Sequence, residues 1–600
     1  MQKNIKEIYE KIKNSNLNKL NNKKRVLTII SFLRLTVFIG WAILEYFALT
    51  TSNLIFVILI FFVFVLLFTF LIITNEKLLN ETKYLKELIK ICQNELDLLA
   101  GECKNFDSGL KFINPNHSYT YDLDIFGNSS IFQYLNRTCT IIGKSTLANY
   151  LSNPLKEKKE LILRQQAIAE LKNKIEWRQN FQAIGNLYSE KESDKENILN
   201  WLNEPLILFH NKLYRILLFV WPFLVFIQLI LSILQIVPYK LLLITLFFQI
   251  IIVGYNKNKI RKLQKLGDKV KTLKKYSKLL KEIDNENFIS PKLKKLSRIL
   301  KIDNKTTFYH ITKLAKISKA YDNNLSMFVG PILNFFFLWS LQCIIRMDKW
   351  KIKFKDELPK WFFIISEFDA LSSLGCFAFN NPDYIFPEIE NHKFILETKE
   401  LGHPLINKSV RVNNNFNLKN LGDFAMITGA NMAGKSTFLR TVGVNLVLAM
   451  SGAPVCAKKF RFFPTDIFTS MRTTDSLQKN ESYFYAELKR LKTIIDKLTL
   501  GQINFIILDE LLKGTNSKDK ETGSRIFIEK LIKLNGVGLI ATHDLNLADI
   551  EKKHPDKVKN QCFEVEIKGE KIFFDYKLKD GVTQKMNASL LMRQMSIIDN

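Results

Sequence analysis

The residues best placed to do chemistry lie between Gly429 and His543, in five short clusters whose order and spacing suit the handling of a nucleoside triphosphate. The first is Gly429-Ala430-Asn431-Met432-Ala433-Gly434-Lys435-Ser436-Thr437, the pattern GxxxxGK[ST]. It is entered from Phe424-Ala-Met-Ile-Thr and followed by the apolar-periodic stretch Phe438 to Met450. Strand, glycine loop and helix is the context this pattern needs, because the glycines let backbone N–H groups close on phosphates at a helix N-terminus. Lys435 is expected to reach the β- and γ-phosphates of ATP, and Ser436 to ligate Mg²⁺. The second cluster is the buried-strand run Asn504 to Leu508, ending in Asp509-Glu510. There the Asp holds Mg²⁺ through water and the Glu polarises the attacking water. Gly514-Thr515-Asn516-Ser517 follows, where a loop can cross to a neighbouring ATPase domain. Ala541-Thr542-His543-Asp544 ends a further strand, Gly536 to Ile540, and makes His543 the residue that senses the γ-phosphate. The fifth cluster is Ser482-Tyr-Phe-Tyr-Ala-Glu487-Leu488. A serine opening a helix offers its hydroxyl and N–H groups to an anion, here the γ-phosphate bound by a second subunit. The reaction these residues specify is ATP hydrolysis, with Lys435, Glu510 and His543 as catalytic groups and a dimer as part of the mechanism.

A decoy tests that reading. Ile142-Gly143-Lys144-Ser145-Thr146 also contains GKST, but Thr138 stands where the first glycine belongs and no β-run leads into it. It is read as a helix start.

The strings TGANMAGKSTFLRTVG, ESYFYAEL, ILDELLKGTNS and ATHD resemble the ATPase domain of the MutS mismatch-repair family. The resemblance continues upstream through Asp122 to Gly127, Leu135 to Gly143, Leu151 to Leu155, Arg164 to Leu171, Glu367 to Leu371 and Gly402-His403-Pro404. Downstream it reaches Phe573 to Gly581, similar to the family's closing strand pair. It implies a helical core, an ABC-type α/β P-loop ATPase, ATP with Mg²⁺, a homodimer joined through the ATPase domains, and mismatched or branched DNA as partner. The departures are specific. Residues before 110 do not resemble the mismatch-reading domain, and Phe386-Pro-Glu388, which has the letters of its wedge, sits in a loop before the ATPase. Neither a connector domain nor a C-terminal nuclease domain is recognisable. Ala430 and Asn480 stand where many relatives carry proline and glycine.

Hydrophobic sequence stands in place of those domains. Leu54 to Ile73 is an uninterrupted apolar run, and Val26 to Leu49 is broken among charged positions only by Arg34 and Glu45. A helix needs about 20 apolar residues to cross a bilayer, so the pair reads as a transmembrane hairpin turning at Thr50 to Asn53. Ile216 to Ile236 and Leu241 to Tyr255 read as a second, turning at Val237 to Lys240 and placed about where relatives insert a DNA clamp. Phe328 to Ile345 contains Asn334, Ser340 and Gln342 and is read as a core helix rather than a fifth span. Four spans keep the basic segments Lys3 to Arg25 and Lys257 to Lys281 on the side of the ATPase, as the positive-inside rule requires. The expected location is the bacterial inner (cytoplasmic) membrane, multi-pass, with core and ATPase in the cytoplasm.

The expected fold is α+β and multidomain. It comprises a basic leader and hairpin at 1–75, a helical linker at 76–110 and a helical core at 111–214. The second hairpin follows at 215–255, the core with lever-like long helices at 256–395, and the α/β ATPase at 396–600. The net charge of +29 suits an anionic partner, DNA or acidic lipid. Seven cysteines scattered without CxxC pairs support neither a zinc site nor a disulfide framework. A membrane-anchored mechanical ATPase acting on a protein or envelope partner is the alternative reading.

Overall fold

The computed structural model describes residues 2–50, 54–206, 208–209, 211–264, 267–302, 305–323, 329–430, 432–472, 483–512, 516–568 and 571–583. Ser482, Asn431, Asn480, Gly514 and Thr515 lie outside them.

Two long helices open the chain, α1 (Gln2–Thr50) and α2 (Leu54–Leu99). At 1.5 Å per residue, the 49 residues of α1 extend ~74 Å. The expected leader and linker are therefore not separate pieces: each is the continuation of an apolar run, and the two pair antiparallel down to the core. Their basal halves dock through Ile5, Tyr9 and Cys92, and through Leu20, Leu85, Leu88 and Ile91 against Ala183. The Tyr9 hydroxyl donates to Asn380 Oδ1 at 2.9 Å, and Arg137 grips Glu95 through two nitrogens at 2.5 and 3.2 Å. That ion pair is almost wholly buried, so its geometry and the further bond from Asn380 to Glu95 offset the cost of desolvation. The distal halves, from Val26 and up to Ile73, point their large apolar side chains outward.

The core follows as α3 (Ile141–Ser152), α4 (Lys158–Asn173) and α5 (Ile175–Asn186). The second apolar hairpin is α6 (Lys212–Ile233) and α7 (Lys240–Tyr255). Core helices resume as α8 (Gly267–Asp284), α9 (Thr307–Asn323), α10 (Val329–Phe337), α11 (Trp339–Phe354) and α12 (Leu358–Asn380). Helix α12 is the spine. It is apolar around its circumference and buried along nearly its whole length, as a helix enclosed by others must be. The GKST decoy is the first turn of α3: Thr140 caps it by accepting from Gly143 N, and a Cβ on Gly143 would lie 2.1 Å from Asp369 Oδ2 on α12. It is a close-packing site with no phosphate loop.

Among the described helices between 256 and 395, α12 is the longest at 23 residues; the expected long lever over 257–284 includes residues 265 and 266, which lie outside the described residues. One expectation is corrected here. The run read as one core helix at 328–345 is broken. Leu338 takes a left-handed conformation (φ 47°), and α10 and α11 meet at a 75° bend. Asn334 stabilises the break by accepting from Ser340 N at 3.0 Å. Helix α11 joins the core, whereas α10 packs on the second hairpin, where Trp221 Nε1 donates to Phe335 O at 2.9 Å.

Among the described residues, four helices are long and apolar enough to cross a membrane, α1, α2, α6 and α12, or five if the bent pair α10 and α11 is one span. Of these, α12 is the buried spine. The expected fourth span, α7, has 16 residues, ~24 Å of helix.

The C-terminal region begins with β1 (Glu388–Ile389), β2 (Leu396–Leu401), β3 (Asn414–Leu418), β4 (Phe424–Gly429), β5 (Lys459–Phe462) and β6 (Asp466–Ser470). It continues through β7 (Asn504–Asp509), β8 (Val537–Ala541), β9 (Val558–Lys568) and β10 (Lys571–Asp580). The main sheet has the order β10-β9-β4-β8-β7-β6, parallel except for β10, and a smaller sheet runs β1-β5-β2-β3. Helices α13 (Lys435–Met450), α14 (Tyr483–Thr499) and α15 (Ser517–Lys533) cover the main sheet, which is why β4, β7 and β8 read as near-continuous apolar runs.

Candidate nucleotide site

The C-terminal ends of β4, β7 and β8 converge on a cleft of about 520 Å³ lined by Met432, Gly434, Lys435, Ser436, Glu510 and His543, among others. The loop after β4 depends on its glycines. Gly429 (φ 153°) would drive a Cβ to 2.8 Å from Phe563 O, and Gly434 (φ 108°) turns the chain into α13. Lys435 Nζ donates to Gly429 O at 2.6 Å and to Ala430 O at 3.0 Å, curling back over the loop. Burial lowers its pKa to about 8 against the opposing charges of Asp509 and Glu510. A desolvated ammonium held by carbonyls at the mouth of a helix N-terminus suits a polyphosphate.

His543 joins the two catalytic candidates. Its Nδ1 lies 3.3 Å from Lys435 Nζ and its Nε2 2.5 Å from Glu510 Oε1. The same Nδ1 lies 3.2 Å from Gly429 O, so the ring's roles follow its proton: Nε2–H donates to Glu510 and leaves Nδ1 to accept from Lys435, whereas Nδ1–H donates to Gly429 O. Glu510 sits in the left-handed region (φ 57°) with its N–H on Ala541 O at 3.0 Å, a strained placement that aims its side chain into the cleft. Asp509 closes β7 opposite Ala541. Ser436 and Thr437 are exposed on the first turn of α13, and Ala430 and Met432 line the cleft, whereas Ala433 is buried beneath the loop. A hydroxyl and a carboxylate suit Mg²⁺, which is commonly held by one or two carboxylates and the substrate's phosphates. Of the pair expected to hold it, Ser436 lines the cleft and Asp509 ends the strand beside Glu510.

The family-model comparisons match MutS domain III over residues 116–499 and MutS domain V over residues 425–596. The first match covers more than half of the chain. The chain belongs to the MutS family. It is 34% identical over 226 residues to the DNA mismatch repair protein MutS of Thermotoga maritima, covering 37% of this chain and 28% of that one. It is 32% identical over 242 residues to human MutS protein homolog 4, covering 39% and 25%. The matched region thus spans less than a third of the length of these relatives.

Within this MutS-family site, several residues lie in strings that resemble the family but were given no role at the nucleotide from the sequence. Tyr576 on β10 holds its ring 3.2 Å from where a Cβ on Gly434 would stand. Its backbone is left-handed (φ 51°), fixed by Asn414, which donates to Tyr576 O and accepts from Leu578 N. The one signal for it was the i, i+2 aromatic pair Phe574/Tyr576, which lines one face of a strand and stacks at 5.9 Å. His403 lines the same cleft; burial and then Arg440 lower its pKa to about 4, so it is neutral at physiological pH. Asp122 and Asp124 tie the site to the helical core. The buried Asp122 carboxylate accepts from Thr469 Oγ1, Met471 N, Arg472 N and Arg490, and Arg440 of α13 bonds Asp122 O and Asp124. One short loop of the core therefore touches both the helix behind the phosphate loop and the chain leading toward Ser482.

Proposed function

We propose that this protein is a membrane-anchored ATPase of the MutS family, binding mismatched or branched DNA and acting as a homodimer joined through its ATPase domains. The convergence of Lys435, His543 and Glu510 at the ends of adjacent parallel strands is the observation that carries the ATPase reading. Lys435 leaves the loop carbonyls for the β- and γ-phosphates. Glu510, oriented by His543 Nε2–H, positions the attacking water and takes its proton. Bound Mg²⁺, held by Ser436 and Asp509, supplies neutralisation of phosphate charge. Tyr576 offers a face on which the adenine base stacks, and Ser482 of the second subunit completes the site. Closure of the dimer is passed to the core through the Asp122 and Asp124 contacts. DNA comes from the relatives' own designation as mismatch-repair proteins and from the net charge of +29. The membrane reading rests on the outward-facing apolar surfaces of α1, α2, α6 and α7, and places the protein in the bacterial cytoplasmic membrane with the ATPase inside.

The short, mutually packed helices α9, α11 and α12 favour a second reading, a motor that acts on a protein or envelope partner. One experiment separates the two. The protein in nanodiscs is offered homoduplex, mismatched and four-way-junction DNA at two salt concentrations, with and without ATP. Preference for mismatch or junction that changes with ATP supports the first. Structure-blind binding indifferent to nucleotide removes DNA as the cognate partner.

A further inference from the structure

Helices α9 and α11 run antiparallel and are pinned at both ends by tryptophan N–H groups, Trp339 to Ala320 O at 3.1 Å and Trp350 to His310 O at 2.8 Å. Between the pins lies a groove of about 790 Å³. Its floor is apolar and aromatic, with Ile317, Cys343 and Phe354, and its rim carries Lys313, Lys316, Arg346, Lys349 and Lys353. Among the described residues no carboxylate lines it. Lys313, Lys316, Arg346 and Lys349 have no ion-pair partner among the described residues, so four like charges face one another across a narrow cleft. Such an arrangement stores repulsion that an anion relieves.

The position of the groove selects the anion. Trp339 follows directly on the Leu338 bend, so one end of the groove opens at α10, which packs on α6. Tyr321, next to Ala320, donates to Ile260 O just beyond α7. The chain entering α6 is held on α11 by Asp348, which accepts from Leu208 N and Phe209 N. The groove thus starts at the root of the second apolar hairpin, at the level where lipid phosphates meet water if that hairpin is inserted. Basic pockets on the cytoplasmic side of membrane helices bind acidic headgroups, and an apolar floor beneath a cationic rim fits a molecule that is both anion and hydrocarbon.

We propose that the α9/α11 groove binds an anionic phospholipid, its phosphate on Lys313, Lys316, Arg346 and Lys349 and an acyl chain along Ile317 and Phe354. This rests on the membrane reading above. The groove links the bilayer to the helices that pack against the core, and duplex DNA, which is all anion and no hydrocarbon, fits its floor poorly.

The test uses the full-length protein in neutral detergent, titrated with short-chain phosphatidylglycerol, phosphatidylcholine of equal chain length, glycerol phosphate and a DNA duplex. We expect phosphatidylglycerol to bind at least tenfold more tightly than phosphatidylcholine or glycerol phosphate. The combined variant Lys313→Gln, Lys316→Gln, Arg346→Gln, Lys349→Gln should lose that preference, and a variant exchanging Lys for Arg and Arg for Lys at these positions should keep it. Equal binding of the two lipids, or a glutamine variant that still prefers phosphatidylglycerol, overturns the proposal. So does glycerol phosphate binding as tightly as the lipid, or a loss confined to DNA. Extraction of cell membranes with alkaline carbonate tests the spans separately. Selective lipid binding by a chain that carbonate strips from the membrane would keep the groove and remove the spans.

Discussion

The nucleotide site and the apolar hairpins use the same residue types and dispose of them in opposite ways. Met426, Ile427, Ile506, Ile507 and Leu508 are all shut away from solvent, whereas Ile55 and Phe62 are 78% and 61% exposed. The difference lies in length and covering. A strand of six residues ends at a glycine or a carboxylate and is sandwiched by helices, so its apolar side chains find partners within the fold. The run Leu54 to Ile73 makes ~30 Å of helix that packs on α1. The polar interruptions of the pair belong to α1, where Trp41 stacks on Phe64 of α2 and Arg34 lies over Phe68. One region buries apolar surface to aim polar groups at a cleft; the other buries polar groups to present an apolar exterior.

Three perturbations probe that contrast, in decreasing size. Glu510→Gln removes the carboxylate that takes the water's proton and should lower kcat by about 10²–10⁴ while nucleotide affinity stays within about threefold. Phosphate release and equilibrium nucleotide binding report the two, and turnover within tenfold of wild type would falsify the general-base assignment. Phe62→Lys puts a charge near the middle of the outward face of α2. It should cost about 3 kcal/mol of membrane insertion, seen as loss of carbonate-resistant protein. If that face met water, the same change would leave stability within about 0.5 kcal/mol, and unchanged membrane retention counts against the span. The smallest effect is on pH. Lys435 has a free-state pKa near 8 that phosphates must raise, so ATP affinity is full below that value and falls as pH rises through it, by up to tenfold (about 1.4 kcal/mol) per pH unit. An isothermal titration series from pH 6.5 to 9.5 that stays flat would show that Lys435 takes up no proton on binding.

Most of the nucleotide site was legible in the sequence because its chemistry is local. The phosphate loop needs glycines at fixed offsets and the acid pair needs a strand end, so Gly429 to Thr437, Asp509 and Glu510 could be picked out by spacing, and His543 only as the last of the series. The GKST string at 143–146 was dismissed on the same logic, and its glycine is present to let α3 approach Asp369. Tyr576 and His403 were illegible as site residues because sequence-distant strands and turns bring them to the cleft. The apolar runs announced two hairpins, yet nothing in their composition revealed that α1 and α2 continue into the core as one long pair. That depends on Tyr9 meeting Asn380 and Glu95 meeting Arg137, contacts between positions far apart in the chain.

The sequence by itself determined the phosphate loop, the acid pair, the strands that lead to them and the positions of the apolar hairpins, since each follows from periodicity or spacing within a few turns of chain. Only the tertiary structure decided the break at Leu338, the joining of His543 to both Lys435 and Glu510, and the basic groove between α9 and α11. Those features arise where separate elements pack, and packing is set by the shape of the partner as much as by the residues of either element.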